Sequence, residues 1–146
     1  MQNLTDDETR SLRCVAGMMI PASAAHAVPG ADDDTIFADI VAGIGRDMAH
    51  VKQALHRLDH LAGDTFADRD LATRLTDIGT FQKDGGVELA ALNRIVVQCY
   101  YRDDRVMRSL GMDVRPPFPK GFEVEQGDWS LLDPVRARPA FYRRTP

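Results

Sequence analysis

Proline placement constrains this chain more than any other feature. Six of its eight prolines fall in the last 34 residues, Asp113 to Pro146. Proline removes a helix hydrogen bond and clashes with the preceding turn, so a segment built this way cannot be a continuous helix. The residues before it carry the apolar spacing of amphipathic helices instead. The expected fold is therefore all-α: a small helical bundle over residues 1–112 around a buried central helix. A long extended Pro/aromatic-rich strap over residues 113–146 belongs to the same domain.

Within the body, a first helix should begin near Thr5, with Asp6, Asp7 and Glu8 at the positive end of its dipole, and should stop at Pro21. Leu12, Val15, Ala16, Met19 and Ile20 form its stripe. Residues 22–33, rich in Ala, Pro and Gly, read as a loop. A second helix starts at Asp33 or Asp34 and carries Ile36, Phe37, Ile40, Val41 and Ile44. Gly43 and Gly45 predict a kink or break, because each glycine costs about 1 kcal/mol against alanine inside a helix. The pattern resumes from Met48 to Leu61 and stops at Gly63. A shorter helix spans about Asp68 to Phe81, with Leu71, Leu75 and Ile78 expected inward, before the turn Lys83-Asp84-Gly85-Gly86. Val87 to Tyr101 shows almost no polar face, the pattern of a helix buried on several sides. A last helix covers about Asp103 to Leu110.

A chain of 146 residues suits one domain and buries roughly 68–70% of its unfolded surface without a disulfide or metal staple. Its formal net charge of −4 gives no support to nucleic-acid binding, whose usual footprint is a basic face. No apolar run approaches the roughly 20 residues that span a bilayer, so no direct membrane insertion is expected. The acidic N-terminus, with no paired arginines, resembles no export signal. The expectation is a cytoplasmic protein, or a periplasmic one if a partner's signal carries it. Cys14 and Cys99 lie 85 positions apart, too far for a CxxC site. Two buried thiols that do not pair with each other are expected.

Catalytic motifs are missing. His56 and His60, four apart on one helix face, could share a metal, but no Glu follows His56 as the HExxH arrangement requires. A solvated or partner-facing histidine pair is the plainer reading. Asp32-Asp33-Asp34 precedes a helix and reads as capping. There is no GxGxxG after a strand, no GxxxxGK[ST] and no GxSxG. The residues themselves point to a non-catalytic helical protein that binds no cofactor or metal of its own.

Two ordered motifs carry a resemblance. Met19-Ile20-Pro21-Ala22, then Val28-Pro29-Gly30-Ala31-Asp32 and an apolar helix with Phe37 and Ile40, resemble the opening of the gluconate 2-dehydrogenase subunit 3 family. Tyr100-Tyr101-Arg102-Asp103-Asp104-Arg105-Val106, Leu110-Gly111-Met112 and Pro116-Pro117-Phe118-Pro119-Lys120-Gly121-Phe122 are similar to its C-terminal signature. The resemblance implies an accessory small subunit of a large FAD-dependent dehydrogenase of the glucose–methanol–choline type, acting on sugars or alcohols. FAD and the catalytic histidines then belong to the partner, whose folding, stability or export needs the small chain. A cytochrome c subunit is a further candidate partner. Two departures stand out: there is no twin-arginine signal, and the segment from Trp129 to Tyr142 matches nothing in the family pattern.

Disordered tails are usually poor in aromatics, yet this one holds five of the chain's ten. Its large side chains must bury either against its own body or against another protein. Trp, Tyr and Arg dominate interface energetics. The candidate partner-binding residues are Phe118, Phe122, Trp129, Arg136, Arg138, Phe141 and Tyr142.

Overall fold

The computed structural model describes residues 3–114 and 125–139. The chain divides into two compact units, Met1–Val114 and Arg115–Pro146. In the first, six helices follow one another: α1 (Asp6–Met19), α2 (Asp34–Gly43), α3 (Met48–Ala62), α4 (Leu71–Asp84), α5 (Val87–Tyr100) and α6 (Asp104–Ser109). The described residues form no β-strand, only an isolated bridge between Ser23 and Val28. The protein is mostly helical, and the described residues hold no helix long and apolar enough to cross a membrane.

Helix boundaries follow local chemistry. The Thr5 hydroxyl accepts from Glu8 N–H at 3.2 Å while the Glu8 carboxylate accepts from Thr5 N–H at 2.7 Å, a reciprocal cap that starts α1. Asp33 starts α2, accepting from Thr35 and Ile36 N–H. Asp70 starts α4 and Asp103 starts α6 in the same way. The predicted break after α2 is present. Gly45, at φ +47°, opens a 3-10 turn to Asp47 before α3 begins.

The core lies between α1, α2, α3 and α5, and Leu12, Ile36, Ile40, Leu55, Leu58 and Val96 are each at most 1% exposed. Helix α3 packs on α1, α4 and α5, and α5 packs on α2 and α3. The expected helix apolar nearly all round is not what α5 presents. There Ala91, Leu92, Ile95, Val96 and Cys99 face inward, but Asn93, Arg94 and Gln98 define a solvent face that also exposes Val97. The assignment of α4 also needs correction. Leu71 and Leu75 are both 58% exposed, because burial of Phe81 against α3 sets the rotation of that helix and leaves the two leucines outside.

In the second unit, Asp128 caps a 3-10 turn, Trp129–Leu132, which runs into the one-turn helix α7 (Asp133–Arg136). An extended strap does not hold for these eight residues. Pro134 sits in the first turn of α7, where its missing N–H has no intrahelical partner to lose.

Candidate functional site: the corner joining the two motifs

The described parts of the two resembling motifs, residues 19–40 and 100–112, meet in space. The chain leaving α1 folds back on itself: Ala31 N–H donates to the Ile20 carbonyl at 2.8 Å, and Ser23 and Val28 exchange backbone hydrogen bonds. Gly30 lies so close to this turn that an added Cβ would stand 2.9 Å from the Ala22 nitrogen, and Asp32 would obstruct it too. Only glycine fits. Tyr100, buried at the end of α5, donates its hydroxyl to the Pro29 carbonyl at 3.2 Å. Burial pushes the Tyr100 phenol up, with the nearby Tyr101 and Asp103 adding to the shift, so it stays a donor at neutral pH.

Beside that contact, Arg105 joins two helix starts. Its guanidinium lies 2.7 Å from Asp33 at the cap of α2 and 3.0 Å from Asp103 at the cap of α6. The hydrogen bonds from Arg105 hold both carboxyls below their usual range, against the opposing effect of burial. Arg102 reaches Asp39 of α2 at 2.6 Å. These residues rim an open groove of about 800 Å³ between α2 and the α5–α6 corner, with Ile36, Ala42 and Cys99 in its lining. Each guanidinium on the rim is already matched by a carboxylate. The Cys99 thiol is pushed up by burial and by the neighbouring Asp39, which disfavours the reactive thiolate.

A second polar cluster escaped the sequence reading. Glu8, 6% exposed, lies 3.1 Å from Lys52 Nζ and 3.1 Å from His56 Nε2. Burial pushes its carboxyl up, but the Thr5 N–H, Lys52 and His56 outweigh burial and leave it below its ordinary value. His56 thus faces a carboxylate from α1, and His60 is exposed in the last turn of α3. Among the described residues, no three His, Cys, Asp or Glu side chains are grouped to hold a metal. A Thr-x-x-Glu spacing signals the Thr5–Glu8 cap, whereas contacts 48 positions apart leave no local mark.

Of the residues expected to bind a partner, Phe118, Phe122, Phe141 and Tyr142 lie outside the described residues. Trp129 is 61% exposed, and its indole N–H donates to Gln126 at 3.2 Å. Arg136, on the same short helical segment, pairs with Asp133 at 3.2 Å, and Arg138 is exposed just beyond it. Leu131, 74% exposed, and Val135, 55% exposed, share that segment. Cys14 and Cys99 are both free thiols; Cys99 is buried and Cys14 half-buried.

No family model, curated protein or solved structure matches this chain.

Proposed function

We propose that this chain is a non-catalytic small subunit that binds and stabilises a large FAD-dependent dehydrogenase of the glucose–methanol–choline type, acting on a sugar or alcohol. The observation that carries the reading is the convergence of the described parts of its two motifs, through Tyr100 on Pro29 and Arg105 on Asp33. Motifs that fold onto one another form a single surface, as a shared recognition corner requires. The exposed Trp129–Val135 segment supports the same role by presenting large apolar side chains on a preformed turn, which lowers the ordering cost of docking. FAD and the reacting groups sit in the partner, and a cytochrome c subunit is a candidate third component. The complex is cytoplasmic, or periplasmic if the large subunit carries the signal.

The test is co-expression with a flavoprotein of that type from the same operon. A yellow complex that co-purifies, with a large subunit that is less soluble or less active alone, is the expected result. A flavoprotein equally soluble and active without this chain would overturn the reading. Partners free of flavin would point instead to an unrelated helical adaptor.

A further inference from the structure

Sequence alone favours a solvated pair for His56 and His60, but the fold places a carboxylate behind one of them. Glu8 reaches from α1 to α3, where its Oε1 faces His56 Nε2 at 3.1 Å. Its other oxygen accepts from the Thr5 N–H at 2.7 Å and lies 3.1 Å from Lys52 Nζ. Glu8 is 6% exposed, whereas the His56 side chain is 69% exposed. An ionised carboxylate only accepts, so in the neutral imidazole the proton sits on Nε2 and the lone pair on Nδ1. His60, one turn further along α3, is exposed, and its ring has no hydrogen bond or ion pair among the described residues. Helical side chains lean toward the N-terminus of their helix. The His60 ring therefore reaches back over the turn that carries His56, toward the Cβ end of that ring, where Nδ1 sits. Cβ atoms four positions apart on a helix are about 5–6 Å from each other, a gap that two imidazoles bridge around one ion.

We propose that His56 Nδ1 and the His60 ring bind a divalent transition-metal ion of the nickel, copper and zinc group on the surface of α3. Glu8 is the positioning residue behind His56. Imidazole suits these metals. A carboxylate on the far nitrogen of a ligating histidine fixes its tautomer and orientation and raises its basicity. Among the described residues only His56 has that support: His26 is exposed without a partner, and His50 Nδ1 is buried and unbonded. Glu8 itself stays outside the coordination shell, because burial and its contacts to Thr5 and Lys52 hold it in the α1–α3 junction. Two protein donors leave the remaining positions to water, so the ion is exchangeable. Within the group Cu2+ binds tightest, and hard oxygen-seeking ions such as Mg2+ do not compete. This inference rests on α1 and α3 alone and is independent of the dehydrogenase reading.

Calorimetric titration of the full chain with Ni2+ tests the site without oxidising the half-buried Cys14 thiol. The expected result is one saturable Ni2+ per chain, unchanged by excess Mg2+ and retained in His26→Ala. His56→Ala and His60→Ala, both at exposed positions, should each remove it while keeping the helical circular dichroism. Glu8→Gln should weaken it about 10–100-fold. Lys52→Met loosens the same junction but leaves the carboxylate on His56, so it should not weaken Ni2+ binding. Nitrogen NMR should show the Nε2–H tautomer of His56 in the metal-free chain, and Ni2+ should broaden His56 Nδ1 and His60 before the other histidines. No saturable Ni2+ binding, or binding that survives His60→Ala, would overturn the inference. So would a Glu8→Gln chain that binds like wild type, or equal weakening by Lys52→Met.

Discussion

The Tyr100 hydroxyl donates to the Pro29 carbonyl across 71 positions of sequence. One hydrogen bond thereby fixes the loop after α1 to the end of α5. Replacing Tyr100 with Phe keeps the ring and leaves a half-buried carbonyl without that donor. The expected loss is about 1 kcal/mol, or a Tm lower by about 3–5 °C. A thermal melt of Tyr100→Phe unchanged within 1 °C or so would mean that water replaces the bond without cost.

Two glycines should respond oppositely to alanine. At Gly30 the new Cβ would press on the Ala22 backbone, which cannot move aside like a flexible side chain, and overpacking of this kind costs about 1–3 kcal/mol. Gly79, inside α4 with open space around it, should gain about 0.5–1 kcal/mol from its better helix propensity. Urea denaturation at low protein concentration separates the two. Equal signs would show that local geometry is not what distinguishes them.

Glu8 should make stability depend on acid pH. Its folded pKa lies below the ordinary value of 4.5, so the folded state holds the carboxylate more tightly than the unfolded chain does. The stabilisation is present above 4.5 and is lost as pH falls through the lower folded value. Glu8→Gln should cost about 1–2 kcal/mol at pH 7 by breaking the contacts to Lys52 and His56. The gap between variant and wild type should close as pH falls through the lowered folded value. A gap that persists undiminished in acid would assign the effect to packing instead.

Much of this architecture was legible from local chemistry. Thr5, Asp33 and Gly63 mark helix ends because caps act within a few residues, and the glycines at 43 and 45 mark the break before α3. Rotation of a helix is less local. Leu71 and Leu75 have the spacing of a buried stripe, but Phe81 lies on a neighbouring ridge and wins the inward face, carrying Asp77 in with it. Periodicity shows that a helix has an apolar side, not which of two adjacent ridges meets the core. The α5 helix misled for the opposite reason, since Val97 hides a solvent face otherwise drawn by Asn93, Arg94 and Gln98. In the second unit, proline at 134 argued for extended chain, yet the first turn of a helix accepts it.

The thiols should differ in reactivity. Cys99 is buried and its pKa is raised by burial, while Cys14 is half-buried. Native alkylation with iodoacetamide should label Cys14 first, and both should react once the chain is unfolded. Mass spectrometry showing Cys99 labelled first, or a Cys14–Cys99 linkage, would contradict this placement.

Trp129→Ala should separate assembly from folding. The side chain is 61% exposed, so its loss should move the Tm of the isolated chain little. If it anchors a partner, the same change should weaken the complex by about 2–4 kcal/mol. Truncation after Gly111 extends the test. A marked fall in the Tm of the truncated body, with partner affinity retained, would assign the strap to the chain's own core.

The double engagement of Arg105 bears on the order in which the chain can mature. Asp33 begins α2, yet its guanidinium partner comes 72 residues later. Pro29 likewise waits for Tyr100. During synthesis, α1 to α4 emerge while the loop ahead of α2 still lacks both clasps, and contacts this distant in sequence close slowly. The early helices can collapse, but their entry loop stays loose until the α5–α6 corner arrives. A nascent chain halted before residue 100 should therefore be cut by protease within residues 22–33, and extension beyond Arg105 should close that window.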